Sequence, residues 1–394
     1  MFRTDDLLHD PQLKTLNKSG RELVLALVDA LTKGKGGAPA GGGALANWQR
    51  LTKADPDTTT LHVSTELTDA SLMYLQDQGM FAASSQGFLP SNVPAGKINR
   101  YNKGDIYRID PAMALRGPGA ESAGMGVKVD QLPFSCQVYS VHHDVDEQQQ
   151  ATQVTGDPVD DANSFVTQQI LLVREAVWVN KLFGAGIWGI DLAGVPGAPG
   201  GGQFKQWDQA ASTPREDLSA QALAIFAKTG FWPNRFTVTP PVLRGILLNA
   251  EIVAAFQYTT AGATPDLVAL AKCLFMPAME AAQAGSVRGA SEPTIAICGG
   301  IQTTSDEGQA DVFGYIGGKQ ALLAYVAPRP GLRTPSAYYT VGWTGLMGAN
   351  PLGLRIKDFP LERNAVTHRV EAEMAFDLPL TGTDLAAFFA TAVS

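Results

Sequence analysis

The chain of 394 residues contains few cysteines and no long apolar run. Its three cysteines, Cys136, Cys273 and Cys298, are widely spaced, which excludes a disulfide framework and a CxxC metal site. No apolar stretch approaches the length of a membrane span, and residues 1–6 do not resemble a signal peptide. These absences predict a protein with reduced thiols that folds in the cytoplasm.

Charge is also scarce. Charged residues make up 17% of the chain, below the usual quarter of a soluble protein. A protein that covers much of its surface with copies of itself has such a deficit, because interface cores are depleted of charge, and a Gly- and Ala-rich enzyme can share it. The formal net charge of -8 argues against broad basic faces that grip nucleic acid, but it is compatible with a container. Apolar residues, at 45%, are sufficient for large cores.

No catalytic motif stands in the context that its chemistry requires. The sequence has no HExxH, no GxSxG and no Cys/His cluster. Gly184–Gly189 matches GxGxxG but follows a predicted helix instead of a strand, which favours a simple loop. Gly317–Gln320 lacks the Ser or Thr of a phosphate loop and is predicted to be a hairpin turn. His142 and His143 are neighbours on a predicted strand and point to opposite faces, which disfavours a shared ion. We therefore predict no catalytic residue, no metal and no cofactor.

The first 60 residues are predicted to form an arm. Ser19–Glu22 is a capping box, and apolar residues at helical spacing follow it. Gly34–Ala46 has the composition of a flexible linker. The arm helix either binds another surface or packs on the same core. A second helix-like segment covers Leu61–Phe81.

Residues 90–135, called the extended loop below, are predicted to form a long β-hairpin with little core. Gly and Pro interrupt short alternating runs such as Lys97–Tyr101 and Asp105–Ile109. Two strands of about 15 to 20 residues would reach roughly 50 to 65 Å. Because an isolated two-stranded ribbon is marginally stable in water, we expect another surface to support this loop.

The most regular predicted element is a helix over residues 158–183, preceded by Asp157 and followed by Gly184. Its length is about 37 Å, and apolar residues on two faces predict a buried position. Beyond it, Thr213–Glu216 is predicted to be a capping box for a helix ending at Gly230. Helix and strand signals then alternate to about residue 340, strands return over residues 341–378, and a short helix is predicted over Asp384–Ala390.

Two segments carry opposite charge. Between Lys97 and Lys128 there are six basic and three acidic residues, whereas Asp144–Asp161 contains six acids and no Lys or Arg. We predict that these segments bind each other between subunits, the alternative being two solvated faces. The predicted contacts of the extended loop are Lys97, Arg100, Lys103, Arg108, Arg116 and Lys128, and those of the acidic acceptor are Asp144, Asp146, Glu147, Asp157, Asp160 and Asp161.

The order of these parts resembles the major capsid proteins of tailed bacteriophages, the Hong Kong 97-type fold. The segments that carry the resemblance are Arg174–Glu175 in the long helix with Trp188 beyond it, Pro233–Val238 before a Pro-capped helix, and Ala324–Gly331 before the strand that ends at Trp343. The resemblance covers most of residues 85–380 and implies an α+β fold. Its parts would be an N-terminal arm (1–60), a connecting segment (61–89), the extended β-hairpin loop (90–135), a peripheral domain with a β-sheet and a spine helix at 158–183 (136–229 and 341–394), and an axial α/β domain (230–340).

This resemblance implies a structural protein and not an enzyme. The chain would assemble with itself into hexamers and pentamers of an icosahedral shell around double-stranded DNA, which it would enclose without sequence specificity. Portal and scaffold proteins and a decoration protein are further implied partners, with no membrane, and the protein would be assembled in the host cytoplasm and located in the virion. The arm would be either intact or a segment that is later cleaved.

Two alternatives remain open at the level of sequence. One is an encapsulin-like shell protein of a bacterial nanocompartment, and the other is a soluble α/β enzyme with residues 203–330 as its ligand domain. A neighbouring gene for a terminase or a portal would favour the phage, and one for a cargo enzyme would favour the compartment.

Overall fold

Helices and strands are interleaved along the computed structural model, which describes residues 75–85, 88–119, 121–152, 157–257, 265–275, 293–306, 308–331, 334–347, 354–360 and 366–394. The helices are α1 Lys103–Ile106, α2 Pro111–Ala114, α3 Glu147–Thr152, α4 Pro158–Leu182, α5 Pro214–Thr229, α6 Pro240–Leu248, α7 Ala250–Phe256, α8 Leu267–Phe275 and α9 Thr344–Met347. The strands are β1 Phe88–Ser91, β2 Ala95–Tyr101, β3 Val129–Ser135, β4 Gln137–Asp146, β5 Ile190–Val195, β6 Gln203–Lys205, β7 Arg235–Val238, β8 Thr294–Ile297, β9 Ile301–Thr303, β10 Phe313–Tyr315, β11 Ala321–Ala324, β12 Thr340–Trp343, β13 Leu354–Pro360, β14 Val366–Asp377 and β15 Ala386–Ala390. These residues belong to one compact unit, Asp69–Ser394, and the predicted arm lies outside the described residues.

The long helix α4 confirms the helix predicted over residues 158–183. The Asp157 carboxylate accepts a hydrogen bond from the Val159 N–H at 2.9 Å, which caps the first turn. At the other end the Phe183 N–H donates to the Val179 carbonyl at 2.9 Å. Every fourth residue from Ala162 to Leu182 is buried, so one face of the helix lies along its whole length in the core.

Helix α4 packs against a five-stranded sheet with β14 at its centre. Strand β14 pairs antiparallel with β13 along one edge and with β4 along the other. Its last residues also pair with β12, to which β1 adds in parallel. The strand predicted near residues 365–378 is therefore confirmed as the longest one described.

A six-stranded sheet lies between two apolar cores, with the strand order β6-β5-β15-β11-β7-β8. Side chains alternate along each strand, so adjacent residues enter different cores. Leu322 and Phe388 pack in the core of α4, whereas Leu323 and Phe389 pack in the core of α5, α6 and α8. This sheet takes strands from both sides of residue 230 and also from the C-terminus, so it crosses the border predicted between peripheral and axial domains.

The helix predicted over Asp384–Ala390 is wrong. Thr383–Leu385 is a single 3₁₀ turn, and residues 386–390 form β15. Strand β15 lies between β5 and β11 and pairs with both, and Ala386 to Phe389 are fully buried. Ladder hydrogen bonds and burial on both faces outweigh the helical preference of an Ala-rich segment.

The hairpin predicted at Gly317–Gln320 is also wrong, because the strands on either side of the turn do not pair with each other. The backbone does turn here, and Gly318 has a φ of 62°. However, β10 pairs with β9, while β11 pairs with β7 and β15. The turn thus passes the chain from one sheet to another, and Gly317 fits because a Cβ there would lie 2.7 Å from the Thr239 methyl group.

The capping box predicted at the start of α5 needs correction. Thr213 makes no side-chain cap at α5, although this helix does end at Gly230 in the left-handed conformation. The Arg215 N–H instead donates to the Glu251 carboxylate at 3.1 Å. Most of the helix-like segment predicted within Leu61–Phe81 lies outside the described residues, and its described end contains a 3₁₀ turn at Gln78–Met80.

Candidate subunit interface

The extended loop is a hairpin only near its base. Strands β2 and β3 pair antiparallel over seven residues each, from Ala95 with Ser135 to Tyr101 with Val129. This ladder is about 23 Å long, so the prediction of two paired strands of about 15 to 20 residues is wrong. Beyond it the Gly- and Pro-containing sequence forms the short helices α1 and α2 joined by irregular backbone.

The base of this hairpin has a small core. Ile98 and Phe134 pack against a buried cluster that includes Tyr339 and Val341. The Phe134 ring also covers Gly96 on the facing strand, where a Cβ would lie 2.9 Å from the ring. The base is therefore fixed to the body by apolar contacts that the rest of the loop lacks.

Asp377 at the end of β14 ties the hairpin base to α4. Its carboxylate accepts the Ser135 N–H at 2.9 Å and the Lys181 ammonium at 2.6 Å. The Leu378 N–H donates to the same side chain at 2.8 Å. One half-buried carboxylate thus joins the base of the loop, the long helix and the central strand.

Past the base, large apolar side chains of the extended loop are exposed. Ile109 and Leu115 are each 85% exposed. The others that are exposed are Val93, Tyr101, Ile106, Tyr107, Met125, Val127 and Val129. An apolar surface of this extent on one segment marks a site of interaction, because water disfavours it in an isolated protein.

The loop touches its own body through polar groups. The Tyr107 hydroxyl donates to the Thr229 carbonyl at 2.5 Å, at the end of α5. The Lys103 ammonium forms an ion pair with the Asp384 carboxylate. These contacts position residues 103–107, whereas Ile109 and Leu115 further along the loop are exposed.

The six basic residues predicted as contacts of the loop are all exposed, but not all are equally available. Arg100 forms an ion pair with Asp130 on the facing strand at 2.6 Å. Lys103 is paired with Asp384, as described above. For Lys97, Arg108 and Lys128, the described residues provide no ion-pair partner.

The acidic acceptor lies where β4 ends and α4 begins, and Asp144 and Asp157 are among its members that bind within the chain. Asp144 receives two hydrogen bonds from the Arg369 guanidinium, at 2.6 and 2.7 Å. The hydrogen bonds from Arg369 lower the pKa of Asp144 below its ordinary value. Asp157 caps α4. Asp146, Glu147 and Asp160 are exposed and Asp161 is half-buried.

A second thin hairpin went unrecognised at the sequence level. Strands β9 and β10 pair over three residues each and form what we call the acidic hairpin, Ile301–Tyr315. The sequence does contain a signal for it. Residues 301–318 include three acidic residues and no Lys or Arg, and they also include Phe313 and Tyr315 at alternate positions. Ile301, Val312, Phe313 and Tyr315 are all exposed.

Glu175 is another position that the sequence did not indicate as an anchor. Its carboxylate accepts the N–H groups of Ala82 and Ala83 at 2.9 and 2.8 Å, and the side chain is fully buried. Burial raises the pKa of Glu175, even though these hydrogen bonds act in the opposite direction. This contact holds residues 81–83, which belong to the predicted connecting segment, on the middle of α4.

The described residues were also inspected for sites of small ligands. In these ranges no group of three or more His, Cys, Asp or Glu is arranged to hold a metal ion. A surface cavity of about 730 Å³ lies next to the C-terminus. Polar groups at its wall bind within the chain: Asp208 accepts the Ser394 N–H, and the Asn249 amide donates to Ser212. No helix in the described part of the chain is long and apolar enough to cross a membrane.

Comparisons with known proteins show a likeness in structure. No protein-family model and no curated protein sequence matches the chain. A crystal structure of a phage-related protein from Bordetella bronchiseptica RB50 is similar, with a TM-score of 0.55 and 17% identity, over 80% of this chain and 93% of that one. The asymmetric unit of the mature capsid of bacteriophage PhiM1 has a TM-score of 0.48 at 13% identity, over 82% and 88% of the two chains. The SrpI encapsulin complex of Synechococcus elongatus PCC 7942 has a TM-score of 0.47 at 11% identity, over 83% and 94%.

At these identities the comparisons show the fold alone, and of the three structures described above the Bordetella protein has a TM-score above 0.5. The chain shares the mixed α and β fold of that phage-related protein, in agreement with the α+β class predicted from the sequence.

Proposed function

We propose that the protein is the major capsid protein of a tailed bacteriophage. Copies assemble into the hexamers and pentamers of an icosahedral shell that encloses double-stranded DNA, and the chain has no enzymatic role. The observation that carries this proposal is the extended loop, whose apolar side chains beyond Tyr101 are exposed in a single subunit. Contact with other copies covers such a surface.

The fold supports this assignment. The long helix α4 and the sheet around β14 provide a rigid body from which the loop projects, and Asp377 fixes the direction of its base. In the Hong Kong 97-type arrangement, α4 is the spine and residues 90–135 are the extended loop. The axial domain then includes the whole six-stranded sheet, so it takes in β5, β6 and β15 as well as much of residues 230–340.

Weak contacts are sufficient for such a protein. Each subunit of a closed shell meets several neighbours at once, so individually modest interfaces act together. Packaged DNA is held without sequence readout, in keeping with the net charge of -8. Portal and scaffold proteins, and a decoration protein, are the further partners, in a virion assembled in the host cytoplasm.

The test is expression of the full chain, followed by sedimentation and negative-stain electron microscopy. We expect a large fraction of the protein to sediment as closed particles of uniform diameter. A protein that stays monomeric under every assembly condition, with or without a co-expressed scaffold, would contradict the proposal.

A further inference from the structure

The acidic hairpin presents one face whose side chains are exposed in the part of the subunit that the structure describes. Phe313 lies opposite Thr303 and Tyr315 lies opposite Ile301, so these four side chains share a face. The Thr304 N–H donates to the Val312 carbonyl at 2.8 Å, so Thr304 and Val312 form a hydrogen-bonded pair. Because hydrogen-bonded and non-hydrogen-bonded pairs alternate in an antiparallel ladder, the pairs Phe313–Thr303 and Tyr315–Ile301 are without ladder bonds. Directly opposed side chains are closest at pairs without ladder bonds, which makes this face a continuous apolar strip.

The strip is exposed, and one edge of the hairpin is occupied. Phe313 is 67% exposed, and Ile301 and Tyr315 are also exposed. The outer edge of β9 is closed by Gln76, whose amide accepts the Ile301 N–H and donates to the Ile301 carbonyl, both at 2.9 Å. The backbone groups of Ile301 at that edge are therefore occupied, while the apolar face is exposed in the described part of the chain.

Charge identifies the partner that this face suits. Residues 301–318 carry Asp306, Glu307 and Asp311 without a Lys or Arg, a net charge of -3. Residues 97–128 of the extended loop carry six basic and three acidic residues, a net charge of +3. Opposite charge of this kind favours encounter of the two segments and disfavours each meeting its own copy.

The projecting part of the loop combines both required properties. Arg108 is followed by Ile109, and Leu115 is followed by Arg116, so each exposed apolar side chain has a basic neighbour. The contacts of Lys103 and Tyr107 with their own body leave this part accessible. An apolar strip beside an acidic tip is complementary to an apolar pair flanked by arginines.

We propose that the acidic hairpin of one subunit binds residues 108–116 of the extended loop of another subunit. Ile109 and Leu115 cover Phe313 and Tyr315, and Arg108 faces the acidic tip. This contact rests on the proposed shell function and names a partner surface for the loop that lies away from the predicted acceptor at Asp144–Asp161.

Cross-linking tests the contact directly. Two full-length variants, Ile109→Cys and Phe313→Cys, are mixed, assembled and oxidised, and disulfide-linked dimers are measured on a non-reducing gel. We expect a dimer band from this pair and none above background from the matched pair Ile109→Cys and Leu248→Cys, since Leu248 is equally exposed. Particles that assemble from the first pair without that band would overturn the inference while leaving the shell function intact.

Substitutions supply the second measurement. Phe313→Ser is expected to lower the particle yield at least about tenfold, because aromatic anchors dominate interface energies. Asp311→Arg and Arg108→Glu should each lower the yield, and the double variant should recover a large part of it. Circular dichroism of the unassembled subunits checks that each variant folds. Wild-type yields from Phe313→Ser would overturn the inference, whereas a wild-type chain that forms no particle would overturn the proposed function and this contact with it.

Discussion

Glu373 on β14 is bound by two basic side chains from the neighbouring strand. The Arg355 guanidinium donates to one oxygen at 2.6 and 3.1 Å, and the Lys357 ammonium donates to the other at 2.7 Å. Burial by itself would raise the pKa of Glu373, but the hydrogen bonds from Lys357 and Arg355 hold it at about 2. The ionised form is therefore favoured in the folded protein, and this preference adds to stability.

The pH dependence follows from that shift. Because the folded pKa is below the ordinary 4.5 of a Glu, the unfolded chain binds more protons between these values, and stability is lost as the pH falls from about 4.5 to about 2. Glu373→Gln should lower the free energy of unfolding at pH 7 by roughly 1–3 kcal/mol and flatten its decline below pH 4.5. Urea unfolding of unassembled subunits at several pH values measures both effects.

The matched control is Glu121→Gln, an exposed Glu in the extended loop. It should leave the free energy of unfolding within about 0.5 kcal/mol of the wild type at each pH. If the free energy of unfolding of Glu373→Gln falls below pH 4.5 as steeply as that of the wild type, the two basic partners do not stabilise the carboxylate.

At the scale of elements, the hairpin base and its tip are held in different ways. Apolar packing and the Asp377 carboxylate fix the base, where Ser135 donates to Asp377. Residues 103–107, beyond the base, are held by the polar contacts of Lys103 and Tyr107, and Lys103 is well exposed. Exposed ion pairs contribute little to stability. This part of the loop can therefore change partners at low cost in free energy while the base keeps its direction.

Asp377→Ala should therefore loosen the base. The substitution removes the acceptor of the Ser135 N–H and of the Lys181 ammonium, and an unmade hydrogen bond to a charged group costs about 1–3 kcal/mol. Hydrogen exchange measured by mass spectrometry on peptides covering β3 should become roughly ten- to a hundredfold faster.

Asp130→Ala provides the comparison, because Asp130 forms a largely exposed ion pair with Arg100 on the same hairpin. Its effect on exchange should be less than about threefold. Equal exchange rates in Asp377→Ala and wild type would mean that apolar packing alone fixes the loop.

On the scale of the whole molecule, exposed apolar surface and sparse charge describe a subunit suited to association. Many of the exposed large apolar residues in the described ranges lie on two thin hairpins, the extended loop and Ile301–Tyr315, and others lie on helices α5 to α8. Charge on these hairpins is opposite in sign, although the chain as a whole is acidic. Association of this kind combines apolar burial with charge steering, and the latter is weakened by salt.

Reversal of charge in the loop tests the steering. The triple variant Arg100→Glu, Lys103→Glu, Arg108→Glu should impair assembly while the subunit stays folded. Arg100 and Lys103 already have partners in their own chain, so Arg108→Glu alone should account for a large part of the loss. The sedimenting fraction, measured at low and high salt, gives the result.

Lys228→Glu is the control, because Lys228 is exposed on α5 and outside both hairpins. It should assemble as the wild type does. Normal particles from the triple variant would show that the basic residues of the extended loop do not contribute to assembly.

Features that depend on residues close together in the chain follow from the sequence alone. Helix α4 is one example, since its cap at Asp157 and its buried stripe repeat within a few residues. The thin extended loop is another, because Gly and Pro interrupt every run that could build a core. Its base and its exposed apolar residues follow from that composition.

The tertiary structure decided what depends on distant partners. Residues 386–390 are a strand because β5 and β11 lie on either side of them, nearly 200 and about 65 residues away in sequence. Asp144 is engaged because Arg369, 225 residues further on, meets it across β4 and β14. Local pattern cannot show such pairings, since their free energy arises only when the chain has brought the two partners together.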